Sequence, residues 1–312
     1  MKARTMRYVA VRRIEICEID VPAPGHGQVL VEKKACGLCA SDVHAFAHGP
    51  ESLPFRATGH EGVGIVRELG PGVTNLKVGD NVLAGGFESY GVVGAAGLLK
   101  VPVEVSDYAL WVAEPVACVV NGLDTAAVHA GERVALVGAG FMGLLLLQGL
   151  VRCPWSELVV MDVDKSRLEV AKGFGAPRLI DLKAAKGQKD AAAMEGRFDV
   201  VIDCSGAQAG LDLSTKLVRT GGNIVLFGWI HGPAQFDGTA WHLKGIHIVN
   251  ASPMSSADMG SCWRRALAGM ASGLFDLKPL VTHRGSLDEL PALLAAGSDK
   301  TGGYIKGVVC YG

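Results

Sequence analysis

The chain has 312 residues, of which 49% are hydrophobic and 20% charged, with 30 basic and 31 acidic side chains. This length allows two domains with substantial cores, and the even balance of charge argues against a nucleic-acid partner or an anionic membrane surface. The longest apolar stretch near a predicted helix, residues 141–151, is too short to span a bilayer.

The cysteines and the first residues of the chain indicate the cellular compartment of the protein. Eight cysteines are spread widely, without the close spacing of a disulfide framework, which fits a reducing compartment. Residues 1–11 are basic but lack the apolar core of a signal peptide. These observations predict a cytoplasmic protein with no membrane partner.

The first third of the sequence has the pattern of an irregular β-rich domain, in which short β-branched runs are separated by Gly, Pro and Asp. Beyond residue 119, strand-like and helical patterns alternate, which predicts an α/β fold with a doubly wound parallel sheet covered on both faces. The expected strands are 28–32, 62–67 and 81–83 in the first part, and 134–137, 158–161, 179–181, 200–203, 223–227 and 246–250 in the second. The expected helices of the second part are 141–151, 165–174 and 210–218.

The last part of the chain departs from this alternation. A helix from about residue 257 is followed by a strand near 278–282, a helix from 287 and a strand at 304–310. Because this is not another strand–helix–strand unit, we expect it to return to the first domain. The predicted domains are therefore 1–118, 119–255 and 256–312.

Side chains that bind metals recur in the first part of the chain. Thiol, imidazole and carboxylate are ligand types that zinc accepts. No second CxxC follows at the spacing of a closed four-cysteine site, so the pattern indicates a mixed site with one open position. The candidate ligands, in chain order, are Cys36, Cys39, His60, Glu61 and Glu114.

A glycine-rich turn follows the strand predicted at 134–137. Gly138, Gly140 and Gly143 have the GxGxxG spacing and open a helical pattern. The first glycine permits the tight turn, the second lets the backbone approach a pyrophosphate, and the third lets the helix pack on the strand. A glycine-rich turn in another kind of α/β protein is the alternative interpretation.

Asp162 ends the next predicted strand, where an acid holds the ribose hydroxyls of a dinucleotide. A carboxylate at this position would repel a 2′-phosphate, so it favours NAD over NADP. Phe141 and Met142, within the glycine motif, and Arg167, beyond the acid, complete the predicted cofactor-binding group. Lys165 and Arg167 are also compatible with the solvated start of a helix.

Taken together, these motifs resemble those of the zinc-containing medium-chain dehydrogenase/reductase family, the group of alcohol, sorbitol and threonine dehydrogenases. The resemblance runs nearly end to end. It implies a GroES-like catalytic domain at 1–118, a Rossmann-type NAD-binding domain at 119–255, and a homodimer or homotetramer for which 246–250 is the candidate edge strand. The matching motifs are Gly37-Leu-Cys39-x-Ser41-Asp42-x-His44, Gly59-His60-Glu61, Gly79-Asp80-x-Val82, Glu114-Pro115 and the glycine-rich turn.

The resemblance assigns roles to the metal-ligand candidates. Cys39 and His60 are similar to the thiolate and imidazole ligands of the catalytic zinc, and Glu61 to a carboxylate that ligates zinc in many members, sometimes exchanging with substrate or water. Glu114 resembles the remaining ligand position of the polyol-dehydrogenase branch, with a place beside the ligands as the alternative. Cys36 is interpreted as a buried structural thiol.

Three further residues are assigned in the same way. Ser41 is similar to the hydroxyl that accepts the proton of the alcohol, and His44 to the end of the relay that passes this proton to solvent. Lys306, near the C-terminus, resembles a basic residue that reaches the cofactor pyrophosphate. An ordinary surface lysine is the alternative for Lys306.

One departure from the family pattern concerns a second metal. Many relatives carry a lobe with four closely spaced cysteines that binds a structural zinc, whereas positions 40–117 of this chain contain no cysteine. The resemblance therefore implies one catalytic Zn²⁺ per chain and no structural zinc.

The predicted function is zinc-dependent hydride transfer between an alcohol or polyol, or the corresponding carbonyl compound, and NAD. A zinc-free, NADPH-dependent quinone or enone reductase of the same fold is one alternative, against which Cys39, His60 and Glu61 speak. A non-catalytic nucleotide-binding scaffold is another, and it would not need Ser41 and His44.

Overall fold

The computed structural model describes residues 1–53 and 58–312, apart from the side chain of Ser255. The chain forms two compact units, Met1–Pro115 with Ala266–Gly312, and Val116–Arg265. The predicted boundaries lie after residues 118 and 255, whereas these units divide after Pro115 and Arg265. No helix within the described ranges is long and apolar enough to cross a membrane.

The N-terminal part of the first unit consists mainly of antiparallel strands. Its elements are β1 (Lys2–Ala10), β2 (Arg13–Asp20), β3 (Gln28–Gly37), α1 (Ala40–His48), β4 (Glu61–Leu69), β5 (Asn81–Leu83) and β6 (Tyr90–Gly94). β1 and β2 pair with each other, whereas β3 pairs with both β4 and β6. Val29 and Val31 of β3 are two residues apart and so share one face of the strand, and both are fully buried in one core cluster.

The second unit is a parallel sheet with its connecting helices. Its strands lie in the order β12-β11-β10-β7-β8-β9, and every pair is parallel. The chain therefore moves outward in one direction from β7 and in the other from β10, which makes the β7–β10 junction a topological switch point. The elements from the end of the first unit onward are α2 (Glu114–Ala126), β7 (Arg133–Val137), α3 (Phe141–Leu150), β8 (Glu157–Asp162), α4 (Lys165–Gly173), β9 (Arg178–Asp181), α5 (Ala185–Ala192), β10 (Phe198–Asp203), α6 (Gln208–Leu217), β11 (Val218–Leu226), α7 (Gly238–Lys244), β12 (His247–Asn250) and α8 (Met259–Ala271).

The C-terminal segment completes the first unit. It contains β13 (Val281–Gly285), α9 (Leu290–Asp299) and β14 (Lys306–Cys310), and β14 pairs antiparallel with β3. The resulting sheet has the order β13-β14-β3-β4-β5, with β6 also on β3. Leu290 and Leu294 of α9 pack in one core cluster with Phe46 of α1. This packing places the end of the chain beside the helix that follows β3.

Candidate active site

The strand register brings the metal-ligand candidates to one end of the sheet in the first unit. Gly37 of β3 lies opposite Glu61 of β4 on one side and opposite Val308 of β14 on the other. Cys39 follows β3 closely, and His60 directly precedes β4. One ligand atom from each of Cys39, His60 and Glu61 can be chosen so that all three lie within 4.8 Å of one another.

This group has the donor chemistry of a zinc site. Cys39 is the N-cap of α1, so its thiol lies at the start of that helix. A hydrogen bond to Cys39 raises the pKa of His60 to about 10 against the effect of desolvation, and the charges of Glu61 and Glu114 act in the same direction as the hydrogen bond. His60 is exposed, so the group is accessible from one side, as a catalytic site requires. The residues present therefore fit a metal cation with one open position.

Glu114 and Cys36 are placed differently from these three residues. Glu114 is the first residue of α2, and its charge acts on His60, but its carboxylate is not part of the group whose ligand atoms lie within 4.8 Å. A ligand role for Glu114 stays a prediction. Cys36 is fully buried, and burial raises the pKa of its thiol, as expected for a packing residue.

A buried ion pair joins Glu61 to the C-terminal strand. Lys306 Nζ lies 2.5 Å from Glu61 Oε2 and donates to the carbonyl of Leu38 at 2.8 Å. Burial by itself would lower the pKa of Lys306, but the charges of Glu61 and Cys39 raise it, so the ammonium stays charged. A Cβ at Gly37 would overlap the carboxylate of Glu61, so a larger residue there would displace that carboxylate. The contact of Lys306 with a cofactor pyrophosphate stays a prediction.

Helix α1 carries the two residues of the expected proton relay. Ser41 and His44 are three residues apart, so they lie on the same helix face. Ser41 is 2% exposed, and its hydroxyl has no hydrogen-bond partner among the described residues. An unpaired buried hydroxyl costs free energy, which fits a group whose partner is a bound molecule. Burial, with a contribution from the neighbouring His48, lowers the pKa of His44 and favours its neutral form.

Asp42 is a site residue to which the sequence analysis gave no role. It is fully buried and accepts hydrogen bonds from the backbone N–H groups of Cys39 at 2.8 Å and Gly59 at 3.2 Å. Asp42 thus ties the turn that carries Cys39 to the turn that carries His60. Burial raises the pKa of Asp42 to about 6, against the effect of these donors and of His60. Its place three residues after the helix cap was the available signal.

The glycine-rich turn of the second unit lies at the switch point between β7 and β10. Gly138 has a φ of 97°, and a Cβ there would lie 2.8 Å from the backbone nitrogen of Ser205. A Cβ on Gly143 would overlap the carbonyl of Gly138. At Gly140, by contrast, the nearest atom to a Cβ is Nη1 of Arg167 at 3.8 Å. The turn therefore leaves open space at the glycine where a pyrophosphate is expected to approach.

The acidic residue predicted to bind ribose lies beside this turn. Asp162 is 7% exposed, and its carboxylate accepts hydrogen bonds from the backbone of Ala139 at 2.5 Å and Asp164 at 2.7 Å. Arg167 is largely buried and lies 3.6 Å from the carboxylate of Asp164, with its guanidinium next to Gly140. The structure thus groups Asp162 and Arg167 with the glycines, and the half-buried Phe141 and Met142 begin α3.

Known protein families match both the β-rich part and the parallel-sheet part of the chain. Residues 25–103 match the family model described as alcohol dehydrogenase GroES-like domain, and residues 141–271 match the model described as zinc-binding dehydrogenase. The chain is 29% identical to sorbitol dehydrogenase of Gallus gallus, over 92% of this chain and 90% of the relative. It is 27% identical to alcohol dehydrogenase of Geobacillus stearothermophilus, over 86% and 89% of the two chains.

A solved structure supports the fold along the whole chain. It is described as a zinc-binding dehydrogenase of Sinorhizobium meliloti 1021 bound to NADP, and it superimposes with a TM-score of 0.85 at 24% identity, covering 100% of both chains. The two family models and the curated relatives cover the β-rich part and the nucleotide-binding part in the same order. The chain therefore belongs to the zinc-containing medium-chain dehydrogenase/reductase family of oxidoreductases.

Proposed function

We propose that this protein is a zinc-dependent dehydrogenase that transfers a hydride between an alcohol or polyol and NAD. The observation that carries the proposal is the convergence of Cys39, His60 and Glu61 at the start of the helix that bears the unpartnered hydroxyl of Ser41. A relative named sorbitol dehydrogenase and one named alcohol dehydrogenase support an alcohol or polyol as the substrate.

Cys39, His60 and Glu61 are the proposed zinc ligands, with Glu114 as a fourth candidate. When bound, zinc would act as a Lewis acid that makes the substrate hydroxyl more acidic. Lys306 holds the Glu61 carboxylate through their ion pair, and Asp42 holds the backbone at Cys39. We propose one such catalytic ion per chain and no structural zinc.

The proton of the alcohol is proposed to leave through α1. Ser41 Oγ accepts the proton of the substrate hydroxyl and releases its own hydroxyl proton towards His44, a role that suits a buried hydroxyl without another partner among the described residues. His44, on the next turn, delivers the proton to solvent. The lowered pKa of His44 keeps its imidazole neutral and able to accept a proton at pH 7.

NAD is the proposed cofactor. Its pyrophosphate would approach the backbone at Gly140 and the start of α3, and Asp162 would accept hydrogen bonds from the ribose hydroxyls. The buried carboxylate of Asp162 disfavours a 2′-phosphate at the same position. Arg167 beside Gly140 would favour such a phosphate, and the Sinorhizobium structure is bound to NADP. The comparison of NAD with NADP therefore belongs in the first assay.

The proposed setting is cytoplasmic, since the eight widely separated cysteines lack the close spacing of a disulfide framework. The proposed assembly is a dimer, alone or as half of a tetramer, formed through the edge strand β12.

The test combines metal analysis with an assay. We expect elemental mass spectrometry of protein purified without chelator or added metal to find about one zinc per chain. With simple alcohols and polyols as substrates, NAD should be reduced faster than NADP, and chelator treatment should abolish the reaction. Protein that holds no zinc and reduces enones with NADPH would contradict the proposal and favour the quinone-reductase alternative.

A further inference from the structure

Lys33 is an unusual core residue of the first unit. It lies within β3, is 1% exposed, and is one of the largest fully buried side chains. Its ammonium donates to the carbonyl of Gly85 at 2.6 Å and lies 3.7 Å from Glu88 Oε1. Burial lowers the pKa of Lys33 and raises that of Glu88, so both charges are held at a cost in free energy. A costly pair in the core calls for a function beyond packing.

The loop of residues 84–89 connects β5 to β6. Glu88 is part of this loop, and the ammonium of Lys33 binds to it at Gly85. The backbone N–H of Lys33 also donates to the carbonyl of Ser89 at 2.9 Å. Gly85 and Gly86 are adjacent in this loop, and paired glycines give a backbone much conformational freedom. A defined path for this loop therefore depends on contacts from outside it, and Lys33 supplies one at Gly85 and one at Ser89.

The same loop lies against the segment that carries two metal-ligand candidates. The backbone N–H of Ala84 donates to the carbonyl of Gly62 at 2.9 Å, and that of Phe87 donates to the carbonyl of Thr58 at 3.0 Å. These bonds fasten the loop at both ends of residues 58–62. His60 and Glu61 lie between the two fastened points.

The approach between loop and ligand segment is backbone on backbone. A Cβ on Gly85 would lie 2.7 Å from the Cα of His60, and a Cβ on Gly62 would lie 2.7 Å from the Cα of Gly85. There is no flexible side chain between them to absorb a displacement. A shift of Gly85 towards His60 would therefore displace the backbone of His60.

From these contacts we infer that Lys33, together with Glu88, is a positioning pair for the metal ligand His60. Lys33 fixes the Gly85 carbonyl, Gly85 supports the backbone of His60, and Glu88 balances the buried charge. Neither residue touches the metal. The inference rests on the metal site proposed above.

The test measures metal binding directly. Lys33→Met removes the charge and the bond to Gly85, and the double variant Lys33→Met/Glu88→Leu removes both polar groups. Replacing a buried ion pair with apolar groups is often neutral for stability, so the double variant is expected to stay folded. Lys100→Met is the matched control, because it removes a partly exposed lysine that forms an ion pair with Asp80 in the same unit.

Affinity for cobalt(II) is measured by competition with a chromophoric chelator, and the visible absorption of the bound cobalt reports ligand geometry. We expect both Lys33 variants to bind about 10- to 100-fold more weakly with an altered spectrum, as for other residues that orient a metal ligand. Lys100→Met should match the wild type. If Lys33→Met does not fold, Glu88→Gln, at a partly exposed position, carries the same test.

The outcomes separate the two proposals. Folded variants with wild-type cobalt affinity and spectrum would show that the pair only stabilises the loop, and the inference would fall. If the wild type bound no cobalt, the proposed function would fall, and the positioning role with it. Weaker binding and an altered spectrum in the Lys33 variants alone would support the role.

Discussion

At the scale of single residues, the hydroxyl of Ser41 makes the most specific prediction. Ser41→Ala should reduce turnover by about 10²- to 10⁴-fold, the usual contribution of a positioned proton acceptor, without loss of zinc. Ser214 offers a matched control, because it is also a fully buried serine whose hydroxyl lacks a partner among the described residues, but it lies in α6 of the other unit. Ser214→Ala should leave turnover unchanged.

Steady-state rates and zinc content of the two variants check this prediction. Wild-type turnover in zinc-loaded Ser41→Ala would remove Ser41 from the proton path. An equal loss in both variants would instead indicate a general effect of deleting a buried hydroxyl.

Single residues of the site also differ in whether their roles could be predicted from the sequence. Cys39, His60 and Glu61 could be proposed from the sequence, because side-chain chemistry gave a short set of candidate ligands and the family resemblance selected these three among them. Asp42 and Lys33 could not, since their roles depend on which backbone groups lie opposite them. Lys306 was expected to reach the cofactor, and its ion pair with Glu61 follows from the pairing of β14 with β3, which the local pattern does not specify.

At the scale of elements, the glycines of the β7–α3 turn predict two different effects of the same substitution. A Cβ on Gly143 would overlap the carbonyl of Gly138, so Gly143→Ala should lower the free energy of unfolding by about 1–3 kcal/mol. Gly140 has a φ of −69° and open space beside it, so Gly140→Ala should change stability by less than about 0.5 kcal/mol.

The added methyl group of Gly140→Ala would occupy space that the cofactor needs. NADH affinity should therefore fall by roughly tenfold or more, equivalent to about 1.4 kcal/mol. Urea unfolding and fluorescence titration with NADH measure the two effects separately. Normal NADH affinity in Gly140→Ala would argue against a pyrophosphate at this turn.

The elements also differ in how well the sequence predicts them. The buried strands of the parallel sheet are continuous apolar runs, so β7, β8 and β10 were predicted to within about two residues. β1 and β2 were missed because this two-stranded ribbon is rich in charged residues and only isolated apolar residues, such as Met6 and Ile14, reach the core. These strands lack the apolar signal that marks a buried strand.

Helix α5 was missed for a different reason. It contains Gly187, which weakens the helical signal, and it has no apolar residue larger than alanine to mark a buried face. In the structure a Cβ at Gly187 would overlap the backbone of Asp181, so glycine serves close packing there and tertiary contact overrides propensity. The strand predicted near 278–282 is observed as β13 at Val281–Gly285, a shift of about three residues.

At the scale of the whole molecule, the open edge of the parallel sheet bears on assembly. β12 is an end strand of that sheet, and Ile248 within it is 36% exposed. The segment around it also carries exposed large apolar side chains, namely Trp229, Phe236, Leu243 and Met254. An unpaired apolar edge promotes aggregation unless another strand or chain covers it. A second copy, paired through the same edge, is the simplest cover with closed symmetry.

A charge placed on this edge should therefore separate the subunits. Each chain has a mass of 32.6 kDa, so light scattering should give about two or four times that mass for the wild type and a lower multiple for Ile248→Lys. Val78→Lys places the same charge at an exposed valine of the first unit and should leave the mass unchanged. A wild type that is monomeric at micromolar concentration, or an Ile248→Lys variant with unchanged mass, would exclude β12 as the subunit contact. The edge would then need protection by some other means, because its apolar residues face solvent in the isolated chain.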